Sequence, residues 1–345
     1  MTVSRIAGLA LLLAVGIAPV CAQAPLPAAL TPVRTPLTTA LAPIPGAKTA
    51  GVLDPDKNYL GPDATPDAAF AAFQRGYYVT ALREAMKRIE ADRDDAPAMT
   101  LMGELYRDGL GVKRNPEEAV RWYRLAADRG DPAGAFALAI SYLRGNGVPQ
   151  DAKSAIPYLE LASAAGHAAA TYNLGMLALE AEKPDLAKAA ALFRRAAELG
   201  NVDAAYALGL QYMQGRGVTR DGGRAAQWLK RAADEKLVAA QIEYAIMLFN
   251  GEGVEKDEAA AVRYLRKAAL TNNPVAANRL ARALANGRGA PKDMLEAMKW
   301  HILARVAGVP DEWLETQLNA LSPADRATVE EAVRRHIGGP ELRAP

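Results

Sequence analysis

The side chains of this 345-residue chain best suited to chemistry are three histidines, one cysteine and a few adjacent acidic pairs. A metal site needs its ligands brought together, and His167, His301 and His336 are far apart in a linear array. His167 follows Gly166 where a helix opens, which suits capping. His301 follows Trp300 within a helix and reads as scaffold, and His336 lies in an exposed C-terminal helix. The pairs Asp94-Asp95 and Glu117-Glu118 sit where helices end or begin, and solvent and the helix dipole account for acids there. No serine occupies an elbow motif, and no phosphate-cradling glycine loop leads into a lysine. Gly-x-Gly occurs in five equivalent turns, which marks architecture rather than a nucleotide site. The sequence therefore predicts no catalytic residues, no cofactor and no metal.

The elements that carry these side chains divide the chain into distinct stretches. Arg5 precedes an apolar run from Ile6 to Ile17, and Val20-Cys21-Ala22 offers small residues at −3 and −1. Residues 1–22 thus read as a signal peptide cut near Ala22, which predicts a periplasmic or secreted protein with no stable membrane insertion after cleavage. Acylation of Cys21 and an uncleaved anchor are the alternatives, but Val20 suits the first poorly and the run is short for the second. Cys21 is the sole cysteine, so the cleaved chain has no disulfide and no thiol chemistry. Residues 23–65, proline-rich with alanine and threonine between, read as a semi-extended tether. Net charge is +2, from 41 basic and 39 acidic side chains that intersperse, and no basic stripe marks a nucleic-acid partner.

From residue 96 the chain repeats with a period of 36, shortened once to 34. Glycines recur at Gly109, Gly145, Gly215, Gly251 and Gly287, and two residues on at Gly111, Gly147, Gly217, Gly253 and Gly289. Polar caps follow at Asn115, Asp151, Asp221, Asp257 and Asp293. Alanines recur at Ala119, Ala155, Ala189, Ala225, Ala261 and Ala297, with large side chains three residues later at Trp122, Tyr158, Leu192, Trp228, Tyr264 and Trp300. The first glycine ends one helix and the second permits a tight reversal, while Asn or Asp caps the next helix. Val112, Val148, Val218 and Val254 plug the gap between the two helices, and the large column fills the space between units. Each unit is an antiparallel helix pair that buries its apolar faces only by stacking on its neighbours. The third unit departs: Glu180-Ala-Glu-Lys-Pro184-Asp has no glycine and is two residues shorter, with Pro184 expected near the start of its second helix.

Met102-Gly103-Glu-Leu-Tyr106, Gly109-Leu-Gly-Val112 and Ala119-Val-Arg-Trp122 together resemble the Sel-1-like repeat family, a tetratricopeptide relative with a longer glycine-bearing turn. The resemblance covers six units over 96–308. It implies an all-α, right-handed superhelical solenoid of antiparallel helix pairs, and a non-catalytic adaptor for protein or peptide partners. Cysteine-rich members of the family carry a disulfide in each repeat, and nothing tied to that branch transfers to this chain. Residues 66–95 read as a degenerate leading pair and 309–345 as capping helices with a tail, Ser322 capping the last helix.

In tetratricopeptide-like arrays the first helix of each pair lines the concave face. That carry-over places Phe136, Ile140 and Leu143, then Tyr172, Met176 and Leu179, then Tyr206, Leu210 and Met213, then Ile242, Ile246 and Phe249 along an apolar stripe. Polar ends flank it, with Thr100, Glu104 and Arg107 in the first unit and Asn278 and Arg282 in the sixth. The stripe is either an open groove for an apolar or amphipathic segment or the core of a tightly coiled array, and exposure of Phe136, Tyr172, Tyr206 and Phe249 separates the two. Three functional classes follow: an envelope adaptor that regulates a membrane sensor, a cell-wall hydrolase with clustered carboxylates, or a secreted host-interaction factor.

Overall fold

The computed structural model describes residues 67–338; the expected signal segment and the proline-rich stretch lie outside them. Among the described residues there are sixteen α-helices and no strand. A leading pair, α1 (Ala68–Gln74) and α2 (Tyr78–Ala91), is followed by α3 (Ala96–Asp108) with α4 (Pro116–Asp128) and α5 (Pro132–Arg144) with α6 (Ala152–Ala164). Next come α7 (Ala168–Glu180) with α8 (Leu186–Glu198), and α9 (Val202–Gln214) with α10 (Gly222–Asp234). The last units are α11 (Val238–Asn250) with α12 (Glu258–Ala269) and α13 (Pro274–Asn286) with α14 (Met294–Val306), followed by α15 (Glu312–Asn319) and α16 (Pro323–Gly338). From α1 to α14 each helix packs on the next in the chain, so every pair leans on its neighbours. The last helix, α16, packs instead on α14.

Local chemistry sets the helix ends. Asp131, Asn201 and Asn273 accept from backbone N–H groups at the starts of α5, α9 and α13, and Asn115, Asp221 and Asp293 do the same for α4, α10 and α14. The first turn glycine adopts left-handed backbone, as at Gly145 with φ 71°. The second has a further reason to be glycine. A Cβ on Gly147 would lie 2.2 Å from the Pro116 carbonyl oxygen, and one on Gly217 would lie 2.1 Å from that of Leu186. Each turn is thus seated on the start of the preceding unit's second helix. The valine of the turn shares this duty: Val148 packs against a cluster that includes Val120 of the unit before, so it seals a joint between units as well as a gap within one.

The alanine column from Ala119 to Ala297 is buried, and so is a second one seven residues on, at Ala126, Ala162, Ala196, Ala232, Ala268 and Ala304. The large column differs from expectation. Trp122, Tyr158, Leu192, Trp228 and Tyr264 are half-buried, with only Trp300 enclosed. Trp122 does bridge units, packing with Ile89 of α2 against Ala96 and Met99. One residue later, however, Tyr123, Leu159, Phe193, Leu229 and Leu265 are enclosed almost completely. A rotation of about 100° per residue points this column, not the tryptophans, into its own unit's first helix. A Cβ on Gly103 would meet the Tyr123 ring at 2.3 Å and one on Gly175 the Phe193 ring at 2.6 Å. Where the buried residue is Leu159 or Leu265 the equivalent first-helix residue is a buried alanine, Ala139 or Ala245, whereas Leu229 faces a glycine, Gly209, whose added Cβ would stand 2.7 Å from Leu229 Cγ.

The third unit keeps its fold through a different turn. α7 ends at Ala181 in extended backbone, and Asp185 caps α8, with Pro184 directly before the cap rather than inside the first turn. The Asp185 N–H donates to the Ala178 carbonyl, where Asp151 and Asp221 reach back to Tyr142 and Tyr212 across turns two residues longer.

Candidate functional site

The rows expected on the partner face run along α3, α5, α7, α9, α11 and α13, and their burial is graded. The row nearest the helix starts is a joint between units. Thr100 Oγ1 donates to Asp131 Oδ2 at 2.6 Å, the Phe136 ring stacks on His167 with centroids 4.3 Å apart, and Asn278 Nδ2 donates to Asp311 Oδ2 at 2.9 Å. Each of those partners caps the next first helix. Phe136, Tyr172 and Ile242 are accordingly buried, at 7%, 3% and 7% exposure, and Met176 joins them. These four are core, which corrects their reading as partner contacts. Tyr206, Ile140, Leu210 and Ile246 are half-buried, as are Leu143, Leu179, Met213 and Phe249 toward the helix ends. The four diagnostic rings therefore divide two and two. What faces outward is a narrower apolar strip along the C-terminal halves of the first helices.

The polar ends are engaged by the chain itself. Glu104 accepts from the buried Tyr123 hydroxyl at 3.0 Å and pairs with Arg107 at 2.5 Å. Burial pushes the Glu104 carboxyl up, outweighing the opposing pull of Arg107 and of the Tyr123 hydrogen bond. A carboxyl raised on folding supports stability below its unfolded range and withdraws that support as pH climbs through its folded value. Glu104→Gln keeps an acceptor for Tyr123 and removes the buried charge. Its urea midpoint should fall less between pH 4 and pH 8 than that of the parent, and an equal fall would remove this account. At the other end Arg282 donates to Asp311 at 2.5 and 2.9 Å, so Asn278 and Arg282 hold α15 rather than stand free.

Two hollows open on this face. One, of about 320 Å³, is lined by Phe70 and Phe73 of α1, by Arg88, and by Thr100, Glu104 and Asp131. Three carboxylates reach it, yet Asp67 takes Arg88 and the Phe70 N–H, Asp131 takes Thr100 and the Gly134 N–H, and Glu104 is occupied as above. Every carboxylate there has a structural duty. The other hollow, of about 280 Å³, is lined by Ile246 and Phe249 with Arg279, Arg282 and Arg288. Arg288 lies over the Phe249 ring and pairs with Glu258. The reading from first-helix positions alone missed Phe70, Phe73 and Arg88, which come from the leading pair. It also missed Arg279 and Arg288, although Arg279 and Arg282 recur at helical spacing.

His167 caps α7 through Nδ1, and burial lowers its imidazole pKa. His301 is wholly enclosed and its Nε2 lies 2.8 Å from Glu315 of α15. His336 is not remote from it as the linear array suggested, because α16 packs on α14 and sets the His336 ring against Trp300. Among the described residues no group of three or more histidine, cysteine or acidic side chains is placed to hold a metal ion, and no helix is long and apolar enough to cross a membrane.

Helix pairs joined in series, each packed on the next and closed by buried contacts between its own two helices, define an all-α repeat solenoid. The chain belongs to the Sel1 repeat family, whose model matches residues 96–131, 132–167, 168–201, 202–237, 238–272 and 274–305. Among solved structures it is similar to a Sel1 repeat protein from Oxalobacter formigenes, at 31% identity and a TM-score of 0.62 over 69% of this chain and 98% of that one. It is also similar to c5321, a protective antigen of uropathogenic Escherichia coli with the same repeat fold, at 26% identity and a TM-score of 0.51 over 78% and 68% of the two chains. No curated protein matches. Sel1 repeats generally mediate protein–protein interaction, and that is the function the fold supports here.

Proposed function

We propose that this protein is an exported, non-catalytic adaptor of the cell envelope that receives a protein or peptide segment along its first-helix face and regulates a membrane sensor or envelope process. The observation that carries the reading is the half-buried apolar strip through Leu143, Leu179, Met213 and Phe249, which runs between a hollow where three acids meet Arg88 and one lined by three arginines. An amphipathic segment with an acidic end toward Arg279 suits that polarity. Export rests on Arg5, the Ile6–Ile17 run and the residues before Ala22, all outside the described residues. Fractionation separates the two destinations: an envelope adaptor stays in the periplasm, and a secreted factor enters the medium.

A photo-crosslinking residue at Tyr206 or Met213, activated in cells and followed by mass spectrometry, should capture a defined partner. The same residue at Arg121, exposed on α4, should not. Capture from Arg121 with none from Tyr206 or Met213 would move the binding face to the second helices.

A further inference from the structure

The shortened third turn leaves one joint between units unsealed. The residue after the first alanine of each second helix is covered elsewhere: Val120, Ala190, Ala226, Val262 and Met298 are exposed by 4% or less. Ile156, the same position in α6, is exposed by 36%. The cover is normally the next unit's glycine turn. Val262 Cγ2, for example, lies 2.9 Å from where a Cβ on Gly289 would stand. The turn that should cover Ile156 runs from Ala181 to Asp185 and lacks the Gly-x-Gly-Val segment. A cavity of about 450 Å³ opens there between α6 and α8, with a mainly apolar wall of Ile156, Leu174, Leu177 and Leu192. Arg195 fixes its breadth by donating from Nη2 to the Ser163 carbonyl at 2.8 Å.

We propose that this slot is a second docking site, separate from the first-helix face, and that its occupant is an aliphatic side chain presented on a tight turn of a partner polypeptide. One observation selects that occupant: the chain fills the equivalent joints of its other units with such a turn, Val148 against the cluster holding Val120 being one case. Glu160 and Lys188 on the rim add charges of both signs around the apolar centre.

The test uses the purified protein, methyl-labelled for NMR, and a head-to-tail cyclic peptide with the sequence Arg144–Gln150 as a stand-in turn. Saturable shifts centred on the Ile156, Leu177 and Leu192 methyls are expected. They should weaken about tenfold or more when the peptide valine is replaced by aspartate, a change worth at least 1.4 kcal/mol. Two variants serve as controls. Replacing Ala181–Pro184 by Gly-Asn-Gly-Val-Pro-Gln rebuilds the missing turn, and should bury Ile156 and abolish the shifts. Ile156→Asp should lower the thermal midpoint by a few degrees at most and abolish the shifts, while methyl signals of units remote from the slot stay at their parent positions. Absence of shifts at millimolar peptide, or their persistence in the rebuilt-turn variant, overturns the proposal. So does a response to decyl maltoside but not to peptide, which makes the occupant a lipid chain. A response to protein concentration alone also overturns it, in favour of a second copy. None of these outcomes bears on crosslinking from Tyr206, so the two sites stand or fall separately.

Discussion

Replacing Gly289 by alanine should destabilise the protein by about 3 kcal/mol or more, whereas the same change at Gly308 should cost about 1 kcal/mol. Both residues have left-handed backbone, with φ of 72° and 88°, so any alanine pays a similar conformational penalty. Only Gly289 faces a second obstacle. Its added Cβ would stand 2.0 Å from the Glu258 carbonyl oxygen and 2.5 Å from the carbonyl carbon, while nothing lies within 4 Å at Gly308. Backbone at a helix start cannot swing aside as a side-chain tip can, so the joint between α12 and the α13–α14 turn must open. Solenoid stability is the sum of units and of the interfaces between neighbours, which localises the damage. Hydrogen exchange should accelerate across α13 to α16 and stay unchanged in α3 to α6, and the urea midpoint should fall accordingly. Equal losses at the two glycines would mean that the turn needs glycine only for its own conformation.

That contrast also marks how far a linear reading reaches. The columns of glycine, alanine and cap residues are visible in one dimension because each unit reuses the same contacts, and they suffice for an all-α repeat solenoid. What a column touches is another matter. Gly147 and Gly289 read as local reversal residues because their neighbours, Pro116 and Glu258, are about thirty residues earlier and carry no mark of the contact. Trp122 drew attention by size, although Tyr123 is the enclosed residue. Pairing Gly103 with Tyr123 and Gly175 with Phe193 across the unit was a readable signal, since a glycine makes room for each of those rings.

The partner face was the least legible part, because exposure depends on what the following unit brings. Phe136 lies under His167, and Tyr172 meets the Phe193 ring with centroids 5.5 Å apart. Tyr206, at the position equivalent to Tyr172, stays half-buried. Similar side chains at equivalent positions thus divide between core and surface. His301 illustrates the converse, a polar residue in the enclosed column that is accommodated because Glu315 of α15 reaches it. One signal for the polar end did exist. Asp95, Asp131, Asn201 and Asn273 cap four of the six first helices, and one more period past Asn273 arrives at Val309, two residues before the Asp311 that caps α15.

Asp311 is where the second large loss is expected. Its side chain is only 4% exposed and serves three groups at once: the Leu314 N–H of α15, Asn278, and both donors of the Arg282 fork. Burial alone would raise this carboxyl, but the hydrogen bonds from Arg282, Asn278 and Leu314 outweigh it and hold the pKa down to about 2. Asp311→Ala removes a helix cap worth about 1 kcal/mol and a charge-assisted pair whose arginine is half in water, so a loss of about 2–3 kcal/mol follows. A carboxyl depressed on folding supplies stability above its unfolded value of about 4 and withdraws it as pH falls toward 2. The parent should therefore lose stability across that acid window, and Asp311→Ala should show a shallower decline there from a lower starting point. Asp311→Asn, which keeps an oxygen for Leu314 but gives Arg282 no charge, should fall between the two. Faster hydrogen exchange should be confined to α15, α16 and the adjoining part of α14, since α15 reaches the repeats through Asp311, Glu315 and the packing of Leu314 and Leu318. An acid decline as steep in Asp311→Ala as in the parent would assign it to other carboxylates and leave Asp311 as a cap alone.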